Sequence, residues 1–284
     1  MIFISSSCLR DPDLFSAIRT LKAEGFSNIE LSGGSDYIED LDRKLLVEKD
    51  KGLNFRLHNY FPPPQKHFVV NLCSNDNVVR QSLDLMKKSV DLSYKLESKK
   101  VGFHAGFKVS PKPEELGKAF SKTELINHIT ATEKFAANFK IIKEYASQNG
   151  VEIYLENNVV SETNFKNHGG QDAFLLTTVA GLKELHSYEK FSLLLDIGHL
   201  KVSSKTHGLD FEKELSEMIQ YTDYIHISDN SGLADDNNGL TEDGEMYGIL
   251  KNLKNHLKHM DFTLEVYSGI DSIKDSHNLL SKLL

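Results

Sequence analysis

The sequence is poor in cysteine. Only Cys8 and Cys73 occur in 284 residues, too few for a disulfide framework, so two reduced thiols in a cytoplasmic protein are expected. No apolar run approaches the roughly 20 residues needed to cross a bilayer as a helix, so no membrane span is expected. The opening MIFISSSCLRDPD has a short apolar stretch with no basic region before it and does not read as a secretory signal. No Gly-x-Gly-x-x-Gly turn follows the first apolar run, which argues against a dinucleotide-binding fold. No linker rich in Pro, Gly or Ser interrupts the chain, so one domain over residues 1–284 is expected. Positive charge is short as well, the net charge being −8. A protein that grips phosphate backbone usually presents a basic face, so a nucleic-acid partner is not expected. A small substrate held by a cation suits the composition better.

What is present is a regular alternation. Hydrophobic residues make up 39 % and charged residues 26 % of the chain, enough apolar material for a sizeable core. Short β-branched or aliphatic runs predict strands at Ile2–Ser5, Asn28–Leu31, Asn54–His58, Lys100–His104, Glu152–Glu156, Ser192–Asp196, Tyr224–Ile227 and Phe262–Val266. Helical patterns fall between them, at Asp13–Glu24, Ile38–Asp50, Val78–Leu96, Thr123–Gln148, Gln171–His186, Phe211–Tyr221, Met246–His256 and Ser272–Leu283. Gly25, Gly52 and Gly150 each follow a helical pattern and precede a strand, as helix-terminating glycines do. Strands alternating with helices imply parallel pairing through crossovers. Eight such units in a chain near the usual size of about 250 residues predict a single-domain (β/α)8 TIM barrel. Two connections, Asn59–Asn77 and Asn157–Gly170, read as long irregular loops, the kind that often close over a ligand.

Chemistry-bearing side chains recur at the strand ends. His58 ends the third strand, His104 the fourth, Glu156 the fifth and Asp196 the sixth, with His199 three residues on. His226 lies near the end of the seventh and Glu265 of the eighth, and Glu30 holds a similar place on the second. In a parallel barrel all these ends open on one face, where such enzymes keep their active sites. Each residue alone has an ordinary structural explanation. Their repetition on successive strands points to one shared site. Imidazole and carboxylate ligands without thiolate suit Mn²⁺, Co²⁺, Zn²⁺ or Fe²⁺ and leave Mg²⁺ open.

In order along the chain, LENN at Glu156, LDIGH at Asp196–His199, HISDN at His226 and LEV at Glu265 resemble the xylose-isomerase-like barrel superfamily. That superfamily includes sugar and sugar-phosphate isomerases and epimerases, inosose dehydratases and apurinic endonucleases of the endonuclease IV type. Its ketose 3-epimerases hold one divalent metal on positions matching Glu156, Asp196, His226 and Glu265. The resemblance implies proton abstraction beside a metal-bound carbonyl, with Glu156 and Glu265 as the proton-transferring pair and His199 on a substrate oxygen. It departs from the pattern where the epimerases carry a substrate-contacting Arg, since this chain reads Ser231 and Gly232. His58 and His104 look like the second-metal histidines of endonuclease IV. The third-metal positions match His199, Asp236 and Asn238, and a neutral amide is a poor zinc ligand, so a complete three-metal site is not expected. Lys108 and Lys205 could face an anion but read more simply as solvated lysines. The expected function is a metal-dependent isomerase or epimerase of a small sugar or sugar phosphate. A polyol dehydratase, an endonuclease IV-like phosphodiesterase and a non-catalytic binding protein are the alternatives, and a homodimer is the default assembly.

Overall fold

The computed structural model describes residues 1–116 and 118–284. Eight parallel strands close on themselves in sequence order: β1 Ile2–Ser5, β2 Asn28–Leu31, β3 Asn54–Leu57, β4 Lys100–His104, β5 Glu152–Glu156, β6 Ser192–Asp196, β7 Thr222–Ile227 and β8 Asp261–Leu264. The helices that carry the chain back between them are α1 Leu14–Ala23, α2 Leu41–Asp50, α3 Asp76–Lys95, α4 His128–Gln148, α5 Glu162–Asn167, α6 Val179–Tyr188, α7 Ile197–His207, α8 Phe211–Met218, α9 Glu245–Asn252, α10 Lys254–Leu257 and α11 Ile270–Leu283. Gly25, Gly52 and Gly150 take φ of +89°, +93° and +68°. Such left-handed backbone favours glycine, as expected after α1, α2 and α4.

Strand residues alternate between two faces, and the two faces have opposite chemistry. Ile4, Leu31, Leu57, Phe103, Leu155, Leu195, Ile227 and Leu264 face outward into one core shared with the helices. The alternate residues face the barrel axis, where Tyr154, Leu194 and Tyr224 form a small separate cluster. Most of the remaining axial positions are polar or charged: Glu30, Arg56, Glu156, Asp196, His226 and Thr263 are all buried. Gly102 makes room among them. A Cβ there would sit 2.8 Å from both the His58 ring and Leu194 Cδ2, so only glycine admits the imidazole at that height.

The lower end of the barrel is closed by an ion pair. Arg56 lies between the rings of Phe3 and Tyr224, 4.3 Å from each centroid, and Nη2 donates to Asp261 Oδ2 at 2.7 Å. Burial pushes the Asp261 carboxyl up, but Arg56 and Lys100 outweigh it and hold the pKa below the usual carboxylate value. Removing one partner of such a pair leaves the other charge stranded. Asp261→Asn is therefore expected to cost about 3 kcal/mol in urea unfolding at neutral pH. A depressed carboxyl contributes stability above its unfolded pKa and loses it as pH falls through the folded one. The gap between wild type and variant should accordingly close below about pH 4; a gap independent of pH would show the pair to be idle.

Sequence and structure differ in several places, among them α4, which begins at His128 rather than Thr123. β8 ends before Glu265 and β3 before His58, although their backbone N–H groups still donate to Ile227 and Leu31 carbonyls. The Asn157–Gly170 connection is not wholly irregular, because α5 forms within it behind the Ser161 cap. The pattern at Gln171–His186 becomes helical only from Val179, since Phe174 is held in an antiparallel bridge to Phe107. Finally, α7 carries no amphipathic stripe. Residues Ile197 to Ser204 are all buried, and a helix enclosed on every side loses the period that marks a surface helix.

Candidate metal and active site

The axial polar residues converge at the C-terminal mouth of the barrel. Glu156, Asp196, His226 and Glu265 each bring one ligand atom within 4.8 Å of the others. Glu156, Asp196 and His226 are fully enclosed and Glu265 nearly so. Glu156 Oε1, Asp196 Oδ2 and His226 Nδ1 have no hydrogen-bond partner. Buried polar atoms are seldom left unpaired, because each costs roughly 1–3 kcal/mol or more. Unpartnered ligand-type atoms from residues on three strands, all in one acidic cluster, are what a cation would satisfy. The donor set therefore fits a divalent metal.

Local structure fixes each ligand. Asp196 is both the last residue of β6 and the cap of α7, its Oδ1 accepting the His199 N–H at 2.7 Å. That leaves Oδ2 free toward the cluster. Gly198 is required by the closeness of the chain after β7: a Cβ would lie 2.8 Å from Ser228 Oγ and 3.1 Å from Asn230 Nδ2. Glu156 Oε2 is taken by His58 Nε2 at 2.7 Å and faces His104 Nε2 at 3.2 Å, so Oε1 alone turns inward. His226 presents Nδ1 to Glu156 Oε1 at 3.2 Å and Glu265 Oε1 at 3.7 Å.

The charges shift one another strongly. Burial raises Asp196 to about 7 and also raises Glu265. Burial would lower the His226 imidazole, but Glu30, Glu265 and Glu156 outweigh it and hold it well above its ordinary value. Burial would likewise raise Glu156, yet His104, His58 and His226 bring it well below. Such opposed shifts within one cavity are typical of functional sites.

His199 lies beside this cluster with both nitrogens engaged. Nδ1 donates to the Asn157 carbonyl at 2.9 Å, and Nε2 faces Asp235 Oδ2 at 3.3 Å. Asp235, not Asp236, is the member of the acidic pair that reaches inward. Asp236 is exposed near Ser231, and Asn238 is exposed with its backbone bridged to Asp229. Asn237, whose φ is +50°, donates Nδ2 to Asp235 Oδ2 at 3.0 Å. Two lysines also differ from the sequence reading or escape it. Lys108 is buried against His128 rather than solvated, while Lys205 stays at the surface. Lys201, which carries no sequence motif, is buried and binds Asp229, the Asn230 carbonyl and Glu245, pinning the loop after β7 to α7.

Above the cluster a cavity of about 380 Å³ opens to solvent, with His58, His104 and Glu265 on its floor. Ser7, Ser32, Ser35, Asn59, Tyr60 and Tyr267 provide its polar wall. A larger groove of about 730 Å³ lies outside the barrel along α2 and α3. It contains no comparable cluster, so size does not mark the site here.

The chain belongs to the xylose isomerase-like TIM barrel family, whose model matches residues 18–283. No curated protein sequence matches it. Among solved structures it is similar to a D-tagatose 3-epimerase-like protein, with a TM-score of 0.75 and 18 % identity over 99 % of this chain and 96 % of that one. It is also similar to D-allulose 3-epimerase from Methylomonas sp. in complex with D-allulose, with a TM-score of 0.68 and 13 % identity over 100 % and 96 %. A Thermus thermophilus protein soaked with zinc chloride gives a TM-score of 0.64 and 18 % identity over 99 % and 96 %. Identities this low establish the shared fold alone.

Proposed function

We propose that this chain is a divalent-metal-dependent isomerase or epimerase of a small sugar or sugar phosphate, working by proton transfer next to a carbonyl. The single observation that carries the reading is the cluster of Glu156, Asp196, His226 and Glu265, with its unpartnered inward atoms at the barrel mouth. These four residues would hold the metal. A bound divalent cation would supply a Lewis acid that polarises a substrate carbonyl and makes the neighbouring C–H more acidic.

The protein's own side chains do the rest. Glu156 and Glu265 stand on β5 and after β8, close enough to flank one substrate carbon, and are the pair that would remove and return its proton. His58 and His104 hold Glu156 Oε2 and so fix which oxygen faces inward. The hydroxyl-bearing wall of the mouth cavity, including Ser7, Ser32 and Tyr267, suits a polyhydroxylated ligand. His199 would reach a substrate oxygen only by exchanging its Asp235 contact. Neighbours of the fold named as 3-epimerases support the same class of reaction. Solvent deuterium incorporated beside the carbonyl of a turned-over ketose or ketose phosphate is the test. Dehydration of a cyclic polyol needs the same first proton abstraction and is a variant of this reading.

A phosphodiesterase reading rests on one observation: His58, His104 and Glu156 form a second group with metal-ligand spacing. Against it stand the net charge of −8 and the exposure of Asp236 and Asn238 away from the cluster. No cleavage of an abasic-site duplex is expected with added zinc or manganese. Robust cleavage lost in His104→Ala would promote this reading above the first.

A further inference from the structure

We infer that Glu30 is a positioning residue for the metal, acting through His226; the inference rests on the metal site proposed above. The imidazole of His226 is the only ring in the four-ligand set, and its two nitrogens face different surroundings. Nδ1 turns to Glu156 and Glu265 at the cluster centre, whereas Nε2 points back down the barrel, 3.0 Å from Glu30 Oε1 and 3.3 Å from the Tyr224 hydroxyl. A neutral imidazole carries one N–H. If that proton sits on Nε2 facing the carboxylate, Nδ1 keeps its lone pair for a cation.

Glu30 has ligand spacing of its own with His58, His226 and Glu265, but its setting suits the positioning task. It is fully buried, lies outside the lining of the mouth cavity, and its Oε2 accepts from Thr263 Oγ1 at 2.8 Å. Its Oε1 has no hydrogen-bond partner of its own, and the Nε2 edge of His226 is the donor that faces it. A buried carboxylate without compensation is costly. A proton donor whose other side meets a cation compensates it well. The Thr263–Glu30–His226 chain thus fixes the tautomer, holds the ring against rotation and makes Nδ1 a stronger donor. Carboxylates behind metal-bound imidazoles act in this way.

The test is metal binding rather than turnover. Metal-free wild type and Glu30→Gln are titrated with Co²⁺ against a competing chelator, and the visible spectrum of each complex is recorded. Glu30→Gln keeps the side-chain volume and removes the charge, and its expected effect is a loss of Co²⁺ affinity of roughly 10–100-fold with an altered spectrum. Urea unfolding of the metal-free forms separates this from a folding defect, because a merely structural role would lower the midpoint and leave the affinity of folded protein unchanged. Should Glu30→Gln not fold, Thr263→Val removes the bond to Oε2, together with a 3.4 Å contact to the Tyr224 hydroxyl, and is expected to weaken Co²⁺ binding by about fivefold. Wild-type affinity and spectrum in the folded variant would overturn the inference alone. No Co²⁺ uptake by wild type would overturn the metal site and this inference together.

Discussion

Asp196→Asn is expected to lose at least about a hundredfold in divalent-metal affinity while keeping its fold. Two functions meet in this one carboxylate, and the substitution separates them. Oδ1 caps α7 through the His199 N–H, and asparagine caps a helix as well as aspartate. Oδ2 faces the cluster without a partner, and there an amide brings neither the charge nor the basicity that a cation requires. With its pKa raised to about 7 by burial, Asp196 is only partly ionised in the metal-free state, so a neutral amide beside Glu156, Glu265 and Glu30 brings no added electrostatic cost there. The metal-free variant should therefore unfold at a urea concentration no lower than metal-free wild type. Elemental analysis after purification, beside that urea curve, checks both halves. Equal metal content in the two proteins would take Asp196 out of the metal's coordination, and a lower midpoint would show that its cap was worth more than asparagine's.

The strands were legible because parallel barrel strands are short, apolar on one face and closely spaced, and their ends carried the ligand-type residues. Position alone gathered Glu30, His58, His104, Glu156, Asp196, His199, His226 and Glu265 as candidates, since a closed barrel brings all strand ends to one rim; the set Glu156, Asp196, His226 and Glu265 was singled out only by the resemblance. What could not be read is what depends on pairing in space. Glu30 shares a register with Arg56, yet its important neighbour is His226 across the barrel, and no spacing in the chain links residues 30 and 226. Asp235 and Asp236 are adjacent acids, and only their placement in space, Asp235 against His199 and Asp236 exposed, tells them apart. Lys201 gave no signal, because a lysine two residues past His199 looks like any solvated helix residue until its burial is seen. The same is true of α7, whose enclosed surface erased the period that identified the outer helices.

Deuterium uptake without net redox chemistry is the result expected of the proposed reaction. In D₂O, a ketose or ketose phosphate that is turned over should acquire deuterium on the carbon next to its carbonyl. In the proposed reaction, exchange would run from Glu156 through the histidines behind it. Glu156 Oε2 lies 2.7 Å from His58 and 3.2 Å from His104, and the His104 ring is 26 % exposed at the floor of the mouth cavity. A proton taken by Glu156 would exchange through these rings once His104 Nδ1, buried without a partner, meets water from the cavity. Glu156→Gln and Glu265→Gln should each suppress exchange by roughly 10²–10⁴-fold, the usual contribution of a general base. Both substitutions also touch the metal site, so metal occupancy has to be measured on the same samples and rates compared per metal-loaded protein. His104→Gln offers a milder contrast. It leaves the two glutamates in place and should slow exchange with solvent more than it slows turnover, so deuterium content per product molecule falls. Two Gln variants that hold metal and still react at the wild-type rate would rule out proton transfer by Glu156 and Glu265.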